Sequence, residues 1–182
     1  MAAEWREEEA WFEQALAALR DSGPAGQASA AYIRQRRIRL GFAQQKYSGA
    51  CWFDWRRLHF GIFLDAPYRD GQPRSPYMYA LLAHEAKHLE QGVVEALSVR
   101  GELVAWQLEC DVLTQAAAEP FDDAAWRELR ALDANSRTDL KRGRVLMKQL
   151  AGPGYRINWL PLWPLPAEIA CQLRDLGRRI LR

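Results

Sequence analysis

Residues 82–89 read Leu-Ala-His-Glu-Ala-Lys-His-Leu, and three of them could do chemistry together. His84 and His88 are four residues apart. On a helix such side chains lie one above the other on one face, so both imidazoles can reach one metal ion. Glu85 is turned about 100° from His84, so it flanks that ion rather than ligating it. From there it can take a proton from a metal-bound water, whose pKa a zinc ion lowers to about 7. One turn of helix thus offers two nitrogen ligands for a single zinc ion and one general base. The chain has 3 His in all, and two of them are here.

A helix must carry this stretch. Ser75-Pro76 predicts its start, as N-cap and first helical residue, and Gly92 its end. Met78, Leu82, Ala86, Leu89 and Val93 form an apolar stripe that can face a core. Upstream, Ile38, Leu40 and Phe42 alternate with other residues, as do Cys51, Phe53 and Trp55, and 59–64 is a third apolar run. These predict a three-stranded antiparallel meander, connected at 47–49 and 56–57. Residues 4–20 read as a helix with Trp5, Phe12, Leu16 and Leu19 inward, 23–28 as a small-residue linker, and 29–36 as a short helix. Downstream, Ser98 caps a helix to about Ala118, and Asp122 or Asp123 a further one to about Asn135. Ser136 or Thr138 opens another to Leu150. A Pro- and Trp-containing loop covers 151–166, and 167–181 is a last helix. The expected fold is α+β and helix-dominated. A small antiparallel three-stranded sheet packs on the motif helix and a following ligand-bearing helix, with additional C-terminal helices. We expect one domain over 1–182, with 1–28 as N-terminal helix and linker, 37–118 as the core that carries the chemistry, and 119–182 as a helical C-terminal part.

Strands, then an HExxH helix, then a second helix bearing a carboxylate resemble the zincin metallopeptidases, over roughly residues 37–118. Gln91 and Val94 stand where the metzincin branch has Gly and a ligand, so the resemblance narrows to the gluzincin-like branch. It implies hydrolysis of peptide bonds in a peptide or protein substrate, with Glu85 as catalytic base. It also implies a third zinc ligand, a Glu from the helix after the motif. Glu90, Glu95, Glu102 and Glu109 are available. Glu90 is about 200° round from His88 and faces away. Glu95 falls in the connection. In a helix hairpin, His88 four residues before Gly92 and Glu102 four after Ser98 lie at matching depth. Glu109 is about 10 Å further along. Glu102 is therefore the expected ligand, and Glu109 a candidate for orienting an imidazole N–H. The family often stabilises the oxyanion with a His or Tyr, and no His follows His88. Tyr155 and Arg156, in Gly152-Pro-Gly-Tyr-Arg, are candidates for substrate or transition-state contacts. His59, beside the third apolar run, is a candidate for lining a cleft in which zincins add the substrate as a strand. Lys87 occupies a position usually uncharged in the family, and should face solvent or pair with a carboxylate.

The net charge of +2 implies no partner. Residues 137–182 hold ten Lys or Arg against three Asp or Glu, whereas Glu4, Glu7, Glu8, Glu9 and Glu13 make the start acidic. A solvated helix face is the plainer reading of such a basic tail, so nucleic acid is not an expected partner. Cys51, Cys110 and Cys171 show no CxxC spacing, which argues against a disulfide framework or a thiolate zinc knuckle. The N-terminus has no apolar signal core, and no run is long enough to span a bilayer, so a cytoplasmic protein without membrane contact is expected. Two further readings stand beside a metallopeptidase: a zinc-binding regulatory module that cleaves nothing, and a protease associated with nucleic acid.

Overall fold

The computed structural model describes residues 2–45, 49–54, 58–116, 124–152 and 154–170, with side chains from residue 7 onward. Helices dominate, with one small sheet beside them, and the fold class is α+β as expected.

The chain opens with α1 (Ala2–Asp21) and α2 (Pro24–Gln35), which pack against each other. Trp11, Phe12, Leu16 and Leu19 of α1 are buried. The expected linker at 23–28 is instead the first turn and a half of α2. Pro24 sits at its first turn, where its fixed φ suits a helix and its missing N–H costs nothing. The small residues serve a close crossing: a Cβ on Gly26 would lie 2.1 Å from the Leu19 carbonyl oxygen.

Three strands follow, β1 (Leu40–Ala43), β2 (Ala50–Asp54) and β3 (His59–Asp65). Their order is β1-β3-β2, with β1 parallel to β3 and β2 antiparallel to it. The sheet is therefore mixed, not an antiparallel meander. The reason lies in β3, whose Gly61, Ile62, Phe63 and Leu64 are all buried. A strand buried on both faces belongs in the middle of a sheet, and the less buried β1 and β2 take the edges. The expected connections at 47–48 and 56–57, and Trp55, lie outside the described residues.

A 3₁₀ turn (Ala66–Asp70) leads to α3 (Pro76–Gln91), the short α4 (Val93–Ala96) and α5 (Val99–Gln115). Then come α6 (Ala124–Ala131), α7 (Arg137–Ala151) and a 3₁₀ turn at Ile157–Trp159. Ser136 caps α7, accepting from the Asp139 N–H. Residues 165–170 are helical, and the rest of the expected last helix lies outside the described residues, as do Asp122, Asp123 and Cys171.

Two apolar clusters form the core. One joins α1, α2, the sheet and α3 to Val112 and Leu113 of α5. The other joins Val99, Leu103 and Trp106 of α5 to α6, α7 and the 157–162 segment. The two clusters thus share α5, which lies beside α3. Among the described residues, no helix is long and apolar enough to cross a membrane.

Candidate metal centre

The site sits between α3 and α5, and short-range chemistry fixes their register. Gly92 ends α3 with φ 75, a left-handed conformation that favours glycine, and its N–H donates to the His88 carbonyl. Ser98 Oγ accepts from the Gly101 N–H at 2.9 Å and donates to the Glu95 carbonyl at 2.7 Å. Gly101 has no room for a side chain, since a Cβ would lie 2.1 Å from Glu95 O. Two more N-terminal donors of α5 are satisfied from far along the chain. The Val99 N–H donates to Pro161 O at 2.8 Å, and the Arg100 N–H to Leu162 O at 3.1 Å. The Pro- and Trp-containing segment therefore caps the helix that carries Glu102.

His84 Nε2 and His88 Nε2 face each other at 3.1 Å. Glu102 meets both, with Oε2 3.8 Å from His84 Nε2 and Oε1 3.7 Å from His88 Nε2. These three side chains, two of them buried, could hold a metal ion. The far nitrogens are also engaged. His84 Nδ1 lies 2.9 Å from Glu109 Oε2, and His88 Nδ1 3.3 Å from Gln91 Oε1. The Gln91 amide is oriented because its Nε2 donates to Gly101 O at 3.0 Å. With acceptors facing both Nδ1 atoms, each Nδ1 carries the hydrogen and each Nε2 presents a lone pair. Two lone pairs at 3.1 Å repel unless a cation, either a proton or a metal ion, lies between them.

The acid–base properties follow from this crowding. Burial pushes the His84 imidazole down, but its hydrogen bond to Glu109 and the charges of Glu109, Glu85 and Glu102 carry it up to about 9. Burial, with the His84 charge beside it, drives His88 down to about 3. Burial raises Glu85 to about 8, against the pull of the His84 charge. Glu102 is raised as well, by burial first. A buried carboxyl poised near neutral pH suits a general base.

His84, Glu85, Glu109 and Tyr155 line one cavity of about 480 Å³, with Ala50 of β2 and Met78 and Leu81 of α3. The edge strand β2 packs beside α3, with the Trp52 ring 6.2 Å from that of His88. Tyr155 donates to Glu102 Oε2 rather than standing alone in the cavity. Lys87 pairs with Glu90 at 2.7 Å, away from the site. Two residues are not brought to the ligands. His59 opens the central strand β3 opposite Asp54 of β2, and it lines a separate depression with Tyr32 and Arg36. Arg156 is exposed, its guanidinium 4.8 Å from the centre of the Trp159 ring. Three neighbours escaped the reading of the sequence: Gln91, Trp106 and Trp52. Gln91 and Trp106 follow His88 and Glu102 by one helical turn, the spacing at which side chains meet, so that signal was present. Trp52 had none.

No protein-family model matches the chain, and neither a curated protein nor a solved structure matches it.

Proposed function

We propose that this chain is a zinc-dependent metallopeptidase of the zincin kind, in its gluzincin-like branch. One observation carries the reading: three donors of the right chemistry converge, with both imidazoles held by outer partners. Ligands at about 2.1 Å on a tetrahedral ion are roughly 3.4 Å apart. The two nitrogens are 3.1 Å apart, and each has one Glu102 oxygen close to that separation, at 3.8 Å from His84 and 3.7 Å from His88. Two neutral imidazoles and a carboxylate suit zinc, and three protein ligands leave a position for water.

Bound zinc would supply an acidified water and a Lewis acid for the scissile carbonyl. Glu85, in the same cavity, would accept a proton from the attacking water and return it to the leaving amine. Glu109 and Gln91 face the two Nδ1 atoms, and so would leave both Nε2 atoms available to hold the ion. The outer edge of β2, which among the described residues pairs with no further strand and has Ala50 at the cavity wall, is where an extended peptide would add.

The direct test is cleavage of denatured protein by the zinc-loaded chain, compared with Glu85→Gln. The variant should keep its zinc and lose activity about 10²- to 10⁴-fold. Undiminished cleavage would contradict the assignment. A second reading, a zinc-binding module without proteolysis, is favoured by one feature. The Tyr155 hydroxyl is turned to Glu102, so it is not offered to a substrate carbonyl. Zinc uptake without cleavage of any peptide would select that reading.

A further inference from the structure

Tyr155 comes from the turn after α7, 53 residues beyond Glu102, yet its hydroxyl donates to Glu102 Oε2. The Tyr155 hydroxyl oxygen in turn accepts from the Trp106 indole N–H at 3.0 Å. Trp106 follows Glu102 by one turn of α5, so indole and carboxylate leave the same helix face. The Tyr155 ring meets the Trp106 ring edge-on, with centroids 6.0 Å apart. Ring and hydroxyl are thus both held, and with its lone pair taken by Trp106 the hydroxyl directs its hydrogen at the carboxylate. The other carboxylate oxygen, Oε1, faces His88 Nε2 at 3.7 Å.

We propose that Tyr155 is the positioning residue of the third metal ligand: the Trp106–Tyr155 pair holds the Glu102 carboxylate turned toward the two imidazoles. The inference rests on the reading of His84, His88 and Glu102 as a metal site. A carboxylate free to rotate must be ordered when an ion binds, and the hydroxyl orders it beforehand. The segment after α7 then serves the site twice. Pro161 and Leu162 cap the helix, and Tyr155 aims its ligand. Metal affinity therefore depends on a residue that is not itself a ligand.

The test is a double-mutant cycle in zinc affinity, by competition with a chromophoric chelator. It uses the full chain, Tyr155→Phe, Glu102→Gln and the double variant. Tyr155→Phe removes one oxygen and keeps the ring. It should weaken zinc binding about 10- to 100-fold with the circular dichroism spectrum unchanged. In the Glu102→Gln background the same change should matter on the order of 2-fold or less, because its carboxylate partner is gone. An unchanged dissociation constant in Tyr155→Phe would overturn the proposal. So would an equal loss in both backgrounds, or loss of the fold in Tyr155→Phe, either of which makes the hydroxyl a structural group. Failure of the unmodified chain to take up zinc would instead overturn the metal-site reading, and this inference with it.

Discussion

At His84 and His88 the two lone pairs must share a cation, and before metal arrives that cation is a proton. His84 holds it up to about pH 9, whereas His88, driven down to about 3, is neutral across the useful range. Zinc can bind only once His84 gives up its proton, so at pH 7 each ion taken up should release about one proton or more. The sign follows: affinity weakens as pH falls below about 9, by up to roughly tenfold per unit for one displaced proton. Calorimetry in two buffers of different ionisation enthalpy reads the proton count, and zero release would contradict this assignment of charge. Removing the partner of His84 gives a second expectation. Glu109→Gln should weaken zinc binding about 10- to 100-fold, measured by chelator competition, although Glu109 is not one of the three candidate ligands. Much of this was legible from types and spacing. HExxH named the pair of imidazoles and the acid beside them, and depth along a hairpin picked Glu102 and kept Glu109 for an imidazole. The Tyr155–Glu102 bond was not legible, because no local pattern links residues that far apart in the chain.

The hairpin of α3 and α5 converts those residue types into a site, and its precision depends on two small residues. Ser98 is fully buried and caps α5, so Ser98→Ala should cost about 1 kcal/mol of stability in urea denaturation. Gly101→Ala is more severe, because a methyl 2.1 Å from Glu95 O forces the first turn of α5 off α4. Glu102 is the next residue. Gly101→Ala should therefore weaken zinc binding more than Ser98→Ala does, and equal affinities would show that the register tolerates the shift. The helices were readable because their punctuation is local: Pro76, Gly92, Ser98 and Ser136 each act within a turn. Strand order was not. Alternation in 38–42 and 51–55 indicates strands, but their order depends on which one is buried on both faces. The unbroken apolar run of β3 carried that information, and a hairpin-by-hairpin reading passed over it. The turn at Pro24 was missed for a related reason, since small residues suggest a linker until the helix they pack against is known.

Across the molecule, α5 belongs to both apolar clusters, and the ligands face each other between α3 and α5. An ion held by all three ligands would tie the motif helix to the element that joins the two clusters. Zinc at about 100 times its dissociation constant should then stabilise the folded chain by about 2.7 kcal/mol, seen as a raised Tm that a chelator reverses. The basic residues toward the C-terminus are partly neutralised in place, with Arg142 on Glu128 at 2.5 Å and Arg137 on Glu168 at 3.1 Å. The exposed Arg142–Glu128 pair adds little stability, and both pairs reduce the positive field that a nucleic-acid surface would need. The proposed centre is one ion in one place. Crystals of the zinc-loaded chain, measured on both sides of the zinc absorption edge, should show a single anomalous peak about 2.0 to 2.2 Å from His84 Nε2, His88 Nε2 and a Glu102 oxygen. No peak between these side chains after reconstitution, or a peak whose third ligand is not Glu102, would contradict it.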